Sequence, residues 1–162
     1  CTRCRRIRVE LMFTTAGPKV IEFNCRFGDP ECQPLLMRLK SDLVEAMLAV
    51  AEHRLDEVTL EWDPRPVVCV VMSSGGYPES YQKGFEITGI DDAEQIADVK
   101  VFQAGTADVD GKLVNNGGRV LGVTALGDTI ADAQQRAYQA VDKITWQDCY
   151  CRRDIGAKAI EA

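Results

Sequence analysis

A single histidine, His53, is all the chain offers for imidazole chemistry, and without a second histidine or a Ser-His-Asp set, hydrolytic acyl transfer has little support. No G-x-x-x-x-G-K-S/T stretch occurs, so the chain is not a P-loop nucleotide binder. No apolar run approaches the ~20 residues of a membrane-spanning helix. The basic stretch from Arg3 to Arg8 is followed by no apolar signal core, and the expected compartment is the cytoplasm. An excess of lysine and arginine is lacking too: the net charge is −6, the wrong sign for a general binder of nucleic-acid backbones. Internal repeats, low-complexity tracts and heptads are absent from the sequence.

What is present is the composition of a globular protein. The 162 residues are 46% hydrophobic and 27% charged, enough for one ordinary domain or two small lobes with a real core. The seven cysteines are odd in number and sit mostly in apolar or strand-like stretches, which fits reduced thiols acting as small hydrophobes. Cys1 and Cys4 with Cys149 and Cys151 could be assembled into a four-thiolate zinc site. C-x-x-C at one end with C-x-C at the other is not a usual ligand spacing, which favours structural or incidental cysteines.

Along the chain, CTRCRRIRVELM shows no clear period and reads as a frayed terminus. After the turn pair Gly17-Pro18, strict alternation from Lys19 to Phe27 predicts a strand with Ile21, Phe23 and Cys25 on one face and Glu22, Asn24 and Arg26 on the other. Gly28-Asp29-Pro30 breaks it, with Asp29 suited to a helix N-cap and Pro30 to the first helical position. Leu35, Leu36, Leu39, Leu43, Met47 and Leu48 recur at three- and four-residue steps, predicting one long helix to about His53, or two in series with Ser41-Asp42 as a second cap. His53 reads as a cation at a helix C-terminus. Asp63-Pro64-Arg65-Pro66 resists helix and sheet alike and marks a lobe boundary, dividing the chain into residues 1–62 and 63–162.

The second lobe reads as mostly β. Val67 to Met72 is a buried strand ended by the turn Ser73-Ser74-Gly75-Gly76-Tyr77-Pro78. Phe85 to Ile90, Val99 to Gln103, Leu113 to Asn115 and Arg119 to Ala125 follow as short strands, with Asp110-Gly111 and Asn116-Gly117-Gly118 as hairpin turns. A closing helix starts at Asp128-Thr129 and places Ile130, Ala133, Ala137, Ala140, Val141 and Ile144 on one face. Asp154-Ile155-Gly156 is a turn or a short strand end in a mixed tail. The fold class expected is α+β.

The chemistry-bearing segment is Val20 to Glu31. Period two aligns a carboxylate, an amide and a guanidinium at steps of about 7 Å on one strand face. Glu22 and Asn24 are hard oxygen donors of the kind Mg²⁺ takes, and Arg26 can fork to a carboxylate or phosphate. By spacing alone, an edge strand showing an ordinary polar face to water explains the pattern as well. The following turn into a helix leaves backbone N–H groups near the helix start, with Asp29 and Glu31 available to orient an amine or hydroxyl. Further on, Asn116-Gly117-Gly118-Arg119 could bring backbone and charge to an anion, or could be a hairpin turn followed by a strand arginine.

The stretch EFNCRFGDPECQP is very similar to the signature of the phosphoribosylamine-glycine ligases, a family of ATP-grasp enzymes. The resemblance continues through LKSDLVE, LEWDPRP, VVMSSGGYPESYQKG, KVFQAGT, NNGGRVLGVTALGDTIADAQQRAY and DCYCRRDIGAKAIE. It implies the last part of an ATP-grasp domain over residues 1–62, followed by the family's small β-rich C-terminal domain with its closing helix. It also implies an ATP-dependent reaction joining glycine to 5-phosphoribosylamine through glycyl phosphate. Glu22 and Asn24 would be the Mg²⁺ (or Mn²⁺) ligands, Arg26 a catalytic stabiliser of the acyl phosphate, and Asp29, Glu31 and Arg119 substrate contacts. The implied partners are ATP, glycine, 5-phosphoribosylamine and the family's N-terminal domains, with no nucleic acid and no membrane. Residues 1–10 depart from the family pattern, and its nucleotide-clamping segments are not in the sequence, so turnover by this chain alone is not expected. A stand-alone binding or scaffold module is the competing reading.

Overall fold

The computed structural model describes residues 8–24 and 26–161. Cys1, Cys4 and Cys25 lie outside the described residues, so the four-thiolate zinc reading and the place of Cys25 on its strand do too. The remaining cysteines, Cys32, Cys69, Cys149 and Cys151, are half-buried free thiols. No helix among the described residues is long and apolar enough to cross a membrane.

Two compact units divide the chain. One holds the described residues up to Cys32 together with Leu39–Asp63; the other holds Gln33–Arg38 and everything from Pro64 on.

The first unit opens with an antiparallel hairpin of β1 (Arg8–Thr14) and β2 (Gly17–Asn24). Arg8 to Met12, read from sequence as part of a frayed end, are therefore strand. The turn is built locally: the Thr14 hydroxyl donates to the Gly17 carbonyl at 2.7 Å and accepts from Ala16 N–H at 3.2 Å, while Gly17 takes φ +94°, a conformation glycine reaches without a Cβ penalty. After β2 the Asp29-Pro30 peptide is cis. Residues 29–31 form a turn, and Cys32 N–H bonds the Gly28 carbonyl at 2.9 Å. Helix α1 (Cys32–Arg38), which from Gln33 on belongs to the second unit, thus begins two residues after the Pro30 start predicted from sequence. A second helix, α2 (Leu43–Ala51), is capped by Asp42, whose carboxylate accepts from Val44 N–H at 2.7 Å. The helical period from residue 32 to 51 is thus two helices broken at Lys40–Asp42. His53 follows α2 with φ +61°.

The second unit holds nearly all of the buried apolar side chains. Its four-stranded antiparallel sheet runs β4 (Val99–Gln103), β7 (Arg119–Leu126), β3 (Val67–Ser74) and β8 (Cys149–Cys151). Helix α4 (Ile130–Val141) packs on it through Ala133, Ala137, Ala140 and Val141, against Val70, Met72, Leu121 and Val123. Small residues at steps of four and three let the helix approach the sheet closely, and a Cβ on Gly127 would collide with the Ala133 backbone. The helix start is a capping box: Asp132 N–H donates to the Thr129 hydroxyl at 3.1 Å, and Thr129 N–H returns a 3.1 Å bond to the Asp132 carboxylate.

Two expectations for this unit need correction. Phe85 to Ile90 is not a strand: only single bridges form there, Glu86 to Val114 and Thr88 to Thr145, and helix α3 (Ile90–Glu94) starts at its end. Asn116-Gly117-Gly118 is not a hairpin turn. The strand before it, β6 (Lys112–Asn115), pairs with β5 (Thr106–Val109) across Asp110-Gly111, whereas β7 pairs with β3 and β4. The strands β5 and β8 and the last short helix, α5 (Ala157–Ile160), have no counterpart in the sequence reading.

Candidate functional site

The β1–β2 register decides which side chains meet. Glu10 faces Glu22. A bulge between Glu10 and Leu11 then makes Leu11 face Val20. Glu10, Glu22 and Asn24 consequently share one face, and Leu11, Phe13, Val20 and Phe23 share the other. Glu22 and Asn24 are joined directly, with Asn24 Nδ2 donating to Glu22 Oε1 at 2.6 Å. Asn24 is buried while Glu22 is exposed.

This donor set suits a hard divalent cation. With its amide nitrogen turned to the carboxylate, Asn24 presents Oδ1 as an oxygen ligand beside the Glu22 oxygens. Among the described residues, no three histidine, cysteine, aspartate or glutamate side chains cluster so as to hold a metal unaided. One carboxylate plus one amide oxygen is the sparse protein contribution Mg²⁺ accepts when water and phosphate fill its other positions. Glu10, which the sequence reading passed over, stands opposite Glu22 in the strand register.

The other predicted residues are placed as follows. Arg26 is exposed and donates Nη1 to the Phe27 carbonyl at 2.8 Å, so its guanidinium lies along its own loop. Asp29 and Glu31 are half-buried in the turn before α1. Burial, with the Asp29 carboxylate second, pushes the Cys32 thiol above its ordinary value. Arg119 begins β7 opposite Ser73 and so belongs to the other unit.

Packing accounts for the glycine turns of the second unit. A Cβ on Gly118 would enter the Tyr77 ring, and one on Gly117 would sit 2.8 Å from the Gly105 Cα. A Cβ on Gly75 would come within 2.6 Å of the Asp148 carbonyl oxygen. What ties these loops together is Asn115, fully buried and read from sequence only as the end of a strand. Its Nδ2 donates to Ser74 Oγ at 2.8 Å and to the Gln82 carbonyl at 2.9 Å, and its Oδ1 accepts from Phe85 N–H at 2.8 Å. Ser74 Oγ passes its own proton to the Gly117 carbonyl at 2.8 Å. The only sequence signal was a polar residue closing an apolar strand. Beside this knot lies a cavity of about 520 Å³ lined by Ser80, Tyr81, Gln82, Phe85, Gln147 and Asp148 with Gly75. None of the sequence-predicted site residues lines it.

The family model described as phosphoribosylglycinamide synthetase, C domain, matches residues 67–158, more than half of the chain. The chain belongs to this family. The ATP-grasp (A) domain model of the same synthetase matches residues 7–32, which take in both hairpin strands and the turn after them. Among curated relatives, the phosphoribosylamine-glycine ligase of Rhodopirellula baltica is 63% identical over 93% of this chain and 35% of its own length. That of Escherichia coli K12 is 60% identical, again over 93% and 35%. The crystal structure of the Thermotoga maritima phosphoribosylamine-glycine ligase superposes with a TM-score of 0.73 at 33% identity, covering 91% of this chain and 36% of that one. The α+β architecture is thus that of a portion of the synthetase, and the chain spans about a third of the length of the relatives it matches.

Proposed function

We propose that the chain supplies the closing strands of an ATP-grasp domain (residues 1–62) and the C-terminal domain (residues 63–162) of a cytoplasmic ligase of purine synthesis. That ligase joins glycine to 5-phosphoribosylamine and releases glycinamide ribonucleotide, ADP and phosphate. The observation that carries this reading is the Glu22–Asn24 pair, bonded at 2.6 Å on the polar face of the hairpin.

In the proposed reaction, the glycine carboxylate oxygen attacks the γ-phosphorus of ATP, giving glycyl phosphate and ADP. The phosphoribosylamine nitrogen then attacks the glycyl carbonyl carbon, phosphate leaves, and the nitrogen gives up a proton. Glu22 and Asn24 Oδ1 would hold Mg²⁺ or Mn²⁺. Such an ion would supply positive charge that offsets the negative charge building on the phosphates. Arg26 exchanges its bond to the Phe27 carbonyl for one to the acyl phosphate, a charge-assisted and stronger interaction. Asp29 and Glu31 accept from the substrate amine or ribose hydroxyls, and Arg119 supplies charge to a substrate anion.

Two oxygen ligands without the groups that clamp the nucleotide retain a small part of the positioning that phosphoryl transfer needs. The isolated chain is therefore expected to show no ATP- and glycine-dependent product. Fused behind the preceding segment of the Escherichia coli relative, it is expected to turn over. Glu22→Ala in that fusion should lower kcat by about 100-fold or more. Unchanged turnover in the Glu22→Ala fusion would remove the pair from the chemistry.

A further inference from the structure

Most of the large apolar residues that are exposed among the described residues lie in the first unit, which contributes only Ala46 and Ala49 to the buried apolar set. The concentration is sharpest on one face of the hairpin. There Phe13 is 82% exposed, Phe23 68%, Val20 53% and Leu11 47%, while the opposite face carries Glu10, Glu22 and Asn24. A two-stranded ribbon is at best marginally stable in water by itself, and a contiguous apolar face of this kind marks an interface. Helix α2 repeats the pattern, with Val44, Met47 and Leu48 exposed at three- and four-residue steps.

We propose that the apolar hairpin face is the docking surface for the rest of the A domain, the polypeptide that precedes the matched region in the family's longer members. The inference rests on reading the chain as a portion of the synthetase. Its occupant is fixed by two observations. The A-domain model matches only residues 7–32, too few to bury a core of their own, and the relatives have about two-thirds of their length outside the match. An A domain that contributes one hairpin here must build its core from those other residues, and the face available for that core is the apolar one. The polar face is left to the nucleotide side.

The test co-expresses tagged chain with the Escherichia coli relative's polypeptide up to the start of its match. A 1:1 complex is expected to copurify. Phe13→Asp with Phe23→Asp should weaken it by about two orders of magnitude or more, as loss of two aromatic anchors does, while leaving the thermal midpoint of the free chain unchanged. Phe13→Leu should retain the complex. Should the segment be insoluble by itself, the in-frame fusion reads the same contact: the double Asp substitution must lower the midpoint of the fusion and not that of the free chain. Absence of a complex together with an unshifted fusion overturns the proposal. So does a dimer of the free chain that the Asp substitutions dissolve, since a second copy would then be the occupant. Turnover is scored separately: a complex without ligase activity leaves docking standing and sinks the proposed function.

Discussion

Replacing Asn115 by alanine should be among the most damaging single changes in the second unit. The side chain is fully buried and makes three hydrogen bonds, to Ser74 Oγ, the Gln82 carbonyl and the Phe85 N–H, all at 2.8–2.9 Å. Alanine removes all three and takes its acceptor from the half-buried Phe85 N–H. About 1 kcal/mol for each of the three bonds, with up to about 2 kcal/mol for the Phe85 N–H left without an acceptor, gives a loss of about 3–5 kcal/mol. With a urea dependence of about 2 kcal/mol per molar, the midpoint should fall by roughly 2 M. The assay is urea unfolding followed by the fluorescence of buried Trp146 in a Trp62→Phe background, so that only the second unit reports. Ser74→Ala, which removes one bond to Gly117 and one acceptor for Asn115, should cost about 1–2 kcal/mol in the same assay. A midpoint shift under about 0.5 M for Asn115→Ala would show that the glycine loops are held by their backbone packing and not by the amide.

Acid stability and backbone geometry supply two more tests. Glu94 is held below its ordinary value of 4.5, first by its hydrogen bond to Lys100, which lies at 2.7 Å, and then by the Val101 N–H at 3.0 Å. Because the folded value is the lower one, the stabilisation is fully present above about pH 4.5 and fades as pH falls through the folded value. Glu94→Gln should flatten the acid limb of a midpoint-versus-pH curve, and an unchanged limb would assign the acid sensitivity elsewhere. Gly89 precedes α3 at φ +85°, where a Cβ would run into the Lys143 carbonyl. Gly89→Ala should therefore cost at least about 2 kcal/mol, read by the same Trp146 unfolding curve, and a neutral substitution would mean that the Lys143 turn yields freely.

What could be read from sequence were the features whose causes are local. Helix α4 announced itself because Thr129 and Asp132 cap it within four residues and its alanines recur on one face. Strand β3 did so because a continuous apolar run has nowhere to go but a core. The α1–α2 break was signalled by Asp42. Pairing was not readable in the same way. Asn116-Gly117-Gly118 shows that the chain turns, but only the ladders show that β6 turns away from β7, toward β5. The alternation from Phe85 to Ile90 is genuine, yet it meets Val114 and Thr145 at single points and never finds a partner strand. Asn115 escaped notice because its importance lies in three groups distant along the chain.

The hairpin shows most clearly what a register adds to a period. Strict alternation puts Val20, Glu22 and Asn24 on the same side of β2, which would set an aliphatic side chain beside the proposed ligands. The bulge changes this. With Glu10 opposite Glu22 and Leu11 opposite Val20, Ile21 is the extra residue, and Val20 crosses to join Leu11, Phe13 and Phe23. Strand β1 could not be recognised by itself because Leu11, Met12 and Phe13 are consecutive apolar residues with no preferred face. Its faces exist only relative to β2. A single extra residue thus separates a wholly apolar side, fit for burial, from a side holding two carboxylates and an amide. Under the proposed function, this separation would let one short ribbon serve a domain core and a phosphate-facing site at once.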